Sequence, residues 1–165
     1  MKRFLIVPFV LAAGLAGAPA ALAEDAAFLR SLDGNWSGGG PVRMRPESSP
    51  LNVSCTIATD ASDTTLSLDG SCTGLAVFTR RIGAEIRFDG SGYSGSYDGS
   101  PRGTATLAGN RSGRSLNLAL NWPHRPPATM RLDSPSENRM VLTTVEQDPD
   151  TGDEVVTAEL ELTRE

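Results

Sequence analysis

Hydrophobic and polar positions alternate along most of this chain with a period of two. Leu51, Val53, Cys55 and Ile57 are separated by Asn52, Ser54 and Thr56, and Leu66, Leu68, Gly70 and Cys72 by Ser67, Asp69 and Ser71. The same rule runs through Ala84, Ile86 and Phe88, then Leu116, Leu118, Leu120 and Trp122, then Ala128, Met130 and Leu132, and finally Val156, Ala158, Leu160 and Leu162. Successive side chains of a strand point to opposite faces, so this pattern predicts strands with one face to a core and one to water. Turn-forming clusters fall between the runs, among them Asp89-Gly90-Ser91-Gly92, Gly109-Asn110-Arg111-Ser112-Gly113 and Asp148-Pro149-Asp150-Thr151-Gly152. Their spacing, about 8 to 14 residues, suits a meander of antiparallel hairpins. The one helical signal after the leader is short: Glu24 to Ser31, with Ala27, Phe28 and Leu32 on one side. So many strands with so little helix must close on themselves or fold into two layers. The expected fold is all-β, an antiparallel up-and-down barrel of about 8–10 strands, with a β-sandwich as the alternative.

The first 23 residues break the pattern. Lys2 and Arg3 precede an almost wholly apolar stretch from Phe4 to Leu22, which ends in Ala21-Leu22-Ala23 ahead of Glu24-Asp25. A positive start, an apolar run and small residues before the cut predict a signal peptide over 1–23, and a single barrel domain over 24–165. The other reading is an uncleaved anchor, which Pro8 and the glycines and prolines between 14 and 19 disfavour. The mature chain is expected in the periplasm or outside the cell, with no transmembrane span. Cys55 and Cys72 are then expected to form a disulfide, as oxidising compartments favour. A hairpin centred on Ala61-Ser62 would leave Cys72 out of reach, so the bond requires a shifted turn or a bulge.

Charge narrows the partners. Lys2 is the only lysine, so removal of the leader leaves 13 arginines against 20 acids, a formal charge of −7. Nucleic acid is not an expected partner, because binding it needs a basic footprint. The arginines gather between Gly74 and Arg131 and the acids after Leu132, which either neutralises across strands or makes a bipolar surface. An outer-membrane barrel is disfavoured by few aromatics and an acidic last strand.

No catalytic or metal motif stands out. His124 is the sole histidine and sits among prolines; the acids from Asp148 to Glu154 lack the spacing of a calcium loop; no Gly-x-Ser-x-Gly elbow is present. The chain is therefore expected to be non-catalytic, with no metal and no cofactor. Tyr93, Gly95 and Tyr97 share one strand face, where glycine leaves room and phenols offer both apolar bodies and hydrogen bonds. Trp36, Tyr93, Tyr97 and Trp122 are the candidate ligand-binding residues.

Leu32-x-Gly34-x-Trp36, at the opening of the first strand, resembles the Gly-x-Trp start of calycin barrels, the lipocalin and avidin superfamily. The resemblance implies that Trp36 closes one end of a barrel. The same segment with Cys55-x-Ile57 and Cys72 is similar to small periplasmic inhibitors of secreted metalloproteases, which are disulfide-bearing eight-stranded barrels. The whole chain resembles uncharacterised exported proteins of Gram-negative bacteria. Two functions follow: a carrier or sensor of a small, partly apolar ligand held within the barrel, or a protease-inhibitor-like or envelope interaction protein with a filled barrel. Interior volume separates them. Leu116, Leu118, Leu120 and Trp122 would fill the barrel, whereas Gly95, Gly103, Ala105 and Gly109 would empty it.

Overall fold

A computed structural model describes residues 18–75, 77–99 and 103–165; most of the expected signal peptide, 1–17, lies outside the described residues. One helix, α1 (Ala18–Ser31), is followed by ten strands. They are β1 (Gly34–Val42), β2 (Leu51–Ala61), β3 (Thr65–Gly74), β4 (Phe78–Phe88), β5 (Tyr93–Asp98), β6 (Ala105–Ser112), β7 (Ser115–Asn121), β8 (Ala128–Ser136), β9 (Arg139–Gln147) and β10 (Glu154–Arg164). Each strand pairs antiparallel with its neighbours in sequence, and β1 pairs with β10, so the sheet is a closed up-and-down barrel rather than a sandwich. The expected period of two holds: in β7, Leu116, Leu118 and Leu120 are buried and Asn117, Ala119 and Asn121 exposed.

The seam between β1 and β10 is tight. A Cβ on Gly38 would lie 2.0 Å from the Glu161 carbonyl oxygen, and one on Gly39 2.0 Å from that of Val53. Only glycine lets the backbones of β1, β2 and β10 approach so closely. Trp36 opposes Arg164 across this seam.

One expectation about local structure is corrected and another is met. Helix α1 is longer than the two turns expected from Glu24, beginning at Ala18 and running through the expected cleavage point after Ala23. The β2–β3 turn lies at Asp63-Thr64, the shift along the chain that the Cys55–Cys72 bond was expected to require. The Ser62 hydroxyl oxygen accepts from the Thr64 and Thr65 amides and bonds the Thr65 hydroxyl. This serine-centred turn moves the hairpin's axis along the chain. It places Cys55 directly opposite Cys72, with Cα atoms 4.0 Å apart and sulfurs 2.02 Å apart, at disulfide distance.

Candidate functional site

The two ends of the barrel differ. At one end α1 and the residue following it bury Phe28, Leu29 and Leu32 in the core that also holds Trp36, Leu66, Leu116, Met140 and Leu162. Polar groups there are paired. The Trp36 Nε1–H donates to the Leu32 carbonyl at 3.0 Å and to the Thr59 hydroxyl at 3.1 Å. Arg164 stacks 4.2 Å over the Trp36 ring and donates to the backbone carbonyls of Ser31, Asp33 and Glu137. It thereby ties the end of the last strand to the end of the helix. Beside them Asp25 accepts from the Tyr93 hydroxyl at 2.6 Å and from Arg111 Nε at 2.5 Å.

Burial resists ionisation of Asp25, but the hydrogen bonds from Arg111 and Tyr93 and the Arg111 charge outweigh it, so its carboxyl lies below the ordinary value. Burial and the Asp25 hydrogen bond push the Tyr93 phenol well above its ordinary range. The hydrogen bond to Asp25 raises Arg111. All three groups therefore keep their usual neutral-pH protonation states, and the cluster is a fixed tether between helix and barrel.

Among the described residues the other end is open and hollow. A cavity of about 460 Å³ runs inward from it, within the range of small-molecule sites. Its floor is Leu118, Met130, Leu132 and Leu142, and its walls include Val42, Val53, Cys72, Ala84, Ala158 and Leu160. The emptiness has a local cause. Small side chains stand at several inward positions of β2, β3, β4 and β10, namely Val53, Gly74, Ala84 and Ala158, whereas Trp36, Leu66, Leu116 and Leu162 fill the closed end. Gly95 and Gly109 serve another purpose: a Cβ on either would lie within 2 Å of a neighbouring strand's carbonyl oxygen (1.8 Å for Gly95, 1.9 Å for Gly109). At the rim, Met44, Leu75 and Phe78 continue the apolar wall out of the cavity and are exposed to solvent.

The four aromatic candidates all point inward but at two different ends. Trp36 and Tyr93 belong to the packed end beneath α1 and do not line the cavity. Tyr97 lines it. Trp122 is buried near the open end, with its Nε1–H donating to the Gly103 carbonyl at 3.0 Å, outside the lining. The sequence reading passed over Arg80. It sits on the inner face of β4, opposite Cys72, and lines the cavity near its mouth. Extending the alternation of Phe88, Ile86 and Ala84 backward through Ile82 to Arg80 gives its direction. Burial raises the Tyr97 phenol, the Arg80 charge opposes that shift, and the Asp98 and Glu146 charges add to it. Tyr97 is therefore a protonated hydrogen-bond donor at neutral pH.

Elsewhere the candidate chemistry is structural. Asp148 Oδ1 accepts from the Asp150 and Thr151 amides, closing an ordinary aspartate turn. Among the described residues no group of three or more His, Cys, Asp or Glu side chains could hold a metal. No helix among them is long and apolar enough to cross a membrane.

No family model and no curated protein matches the chain, so its resemblance to exported Gram-negative proteins has no family-level support. Its fold is similar to that of the S-type phycobiliprotein lyase of Guillardia theta, with a TM-score of 0.54 and 11% identity, over 90% of this chain and 97% of that one. The antiparallel up-and-down barrel expected from the alternation is the fold observed, with ten strands rather than the eight of the inhibitor barrels. One expectation is overturned. The absence of a catalytic motif suggested a non-catalytic protein, yet the barrel is shared with a protein named as a lyase. This architecture gives no ground for setting catalysis aside.

Proposed function

We propose that this protein is exported, is cut after Ala23, and holds a small, largely apolar ligand in the open half of its barrel. The observation that carries the reading is the cavity itself: about 460 Å³, walled by aliphatic side chains and continuous with an apolar rim. An apolar molecule gains by leaving water for such a space, and a rim of the same character eases its passage. Tyr97 is the aromatic candidate that faces this ligand. The polar ends of Tyr93 and Trp36 are engaged beneath the helix, where they hold the barrel shut. Export supports the disulfide and is supported by the leader pattern over 1–23.

The test is binding of the neutral probe N-phenyl-1-naphthylamine, read by its fluorescence, to wild type and to Ala158→Phe. Ala158 lines the cavity, and a phenyl group there occupies the space. Saturable binding by wild type, weakened about tenfold or more in the variant at an unchanged unfolding midpoint, is the expected result. A wild-type protein that binds no apolar probe and carries no extra mass in its native mass spectrum overturns the reading.

A further inference from the structure

We propose that the cavity takes an amphiphile with a single anionic head, a carboxylate in the simplest case, held at the mouth by the Arg80 guanidinium and the Tyr97 hydroxyl while its apolar body lies against the wall below. This rests on the reading of the cavity as a binding site and names the class of ligand.

Four observations converge on it. First, the lining is apolar apart from Thr79, Arg80, Tyr97 and Thr144, so its one charge is positive and stands near the opening. Second, among the described residues neither Arg80, which is exposed, nor the half-buried Tyr97 hydroxyl makes a hydrogen bond or an ion pair, so both donors face solvent at the mouth. A guanidinium offers five donors and no acceptor, and a protonated phenol donates one more. Neither donor has an acceptor among the described residues, and the Arg80 charge acts on the Tyr97 phenol. Third, the acids nearby are turned aside or occupied. Asp98 lies on the opposite face of β5 from Tyr97 and accepts from the Thr104 hydroxyl, while Glu146 accepts from Thr157, and neither lines the cavity. Fourth, glycine at position 99 gives the phenol tip its place at the mouth. A Cβ on Gly99 would lie 2.8 Å from the Tyr97 hydroxyl oxygen, at a φ of +147° that side-chain-bearing residues avoid. A planar fork of donors and one further donor on the same cavity lining, with an aliphatic well below, match a carboxylate on an apolar tail.

The test is displacement of N-phenyl-1-naphthylamine from the full mature chain by dodecanoate, dodecanol and dodecyltrimethylammonium, which share a tail and differ in head. It is run at mildly alkaline pH and below the micelle concentrations. Dodecanoate should act at about tenfold lower concentration than dodecanol, with the ammonium weakest, since a hydrogen bond to a charged group contributes that much or more. Arg80→Gln should bring the carboxylate-to-alcohol ratio close to one, Arg80→Lys should keep part of it, and Tyr97→Phe should lower it less. Arg139→Gln, at the far end of the barrel and paired with Glu161, should leave the ratio as in wild type. Equal displacement by acid and alcohol in wild type, or an intact ratio in Arg80→Gln, overturns the anionic-head site while the cavity reading stands. Failure of the neutral probe to bind removes both together.

Discussion

The closed and open halves of this barrel are built from the same strands, yet one is packed and the other is not. At the closed end the inward residues are large, a helix covers them, and indole, carboxylate and guanidinium groups are answered by partners. At the open end several inward residues are small, among them Val53, Gly74, Ala84 and Ala158, nothing among the described residues covers them, and among those residues Arg80 and the Tyr97 hydroxyl have no hydrogen-bond or ion-pair partner. Close packing stabilises a fold, and unfilled space with unanswered donors is what a ligand can use. The molecule therefore separates stability and binding along the barrel axis, and substitutions should sort by end.

The largest contrast is in core truncation. Leu29→Ala or Leu116→Ala, both fully buried at the closed end, should each cost about 2–5 kcal/mol in urea unfolding. Ile82→Ala on the cavity wall should cost about 1 kcal/mol, because part of that side chain already borders empty space. Equal losses would erase the distinction. Next comes the bond near the middle. Replacing Cys55 and Cys72 together by serine opens a 17-residue separation, with an expected loss of about 3 kcal/mol in the chain-entropy model.

The tether of α1 should give a smaller effect with a pH signature. Asp25→Asn leaves Arg111 without its carboxylate and should cost about 2 kcal/mol at neutral pH. The Asp25 pKa is lowered by folding, so its stabilisation is present above the unfolded value of about 4 and fades as pH falls through the folded one. Wild type should lose stability over that acid range, and Asp25→Asn should lose less there. A variant with the same acid slope as wild type would show that Asp25 is not the titrating group. The smallest change is Tyr93→Phe, which removes one hydrogen bond at a cost of about 1 kcal/mol. Probe binding should match wild type, because Tyr93 lies beneath the helix; a marked loss would extend the site to the closed end.

Strand identity was legible because alternation is a direct imprint of a two-faced sheet. It survives in β2, β3, β7 and β10 with few interruptions. The exact position of the β2–β3 turn was not legible because several residues there suit a turn, and the interaction seen at it is one hydroxyl, Ser62, engaging backbone groups two and three residues on. The site was less legible. Aromatics drew attention by type, but type does not say at which end of a barrel an inward residue sits. Trp36 and Tyr93 come from the start of β1 and of β5, and both strands start at the helix-covered end. Arg80 was missed for the converse reason. A charged residue on a strand reads as outward-facing unless parity is carried through from the residues beyond it. The cavity was not legible, since it depends on small side chains meeting across several strands that are distant in the chain.

The glycine seam bears on the order of events in folding. The nine hairpin contacts of the sheet join neighbours in sequence and can form as each pair of strands becomes available. The tenth, β1 with β10, joins Trp36 to Arg164 and closes the largest loop in the domain. Loop closure of that length is the slow, non-local step of such a topology. Until it happens β1 offers an unpaired edge, and one with three consecutive glycines and Pro41 is a poor template for pairing with another molecule. The residues that permit the tight seam in the finished barrel also protect the chain while it waits for its last strand.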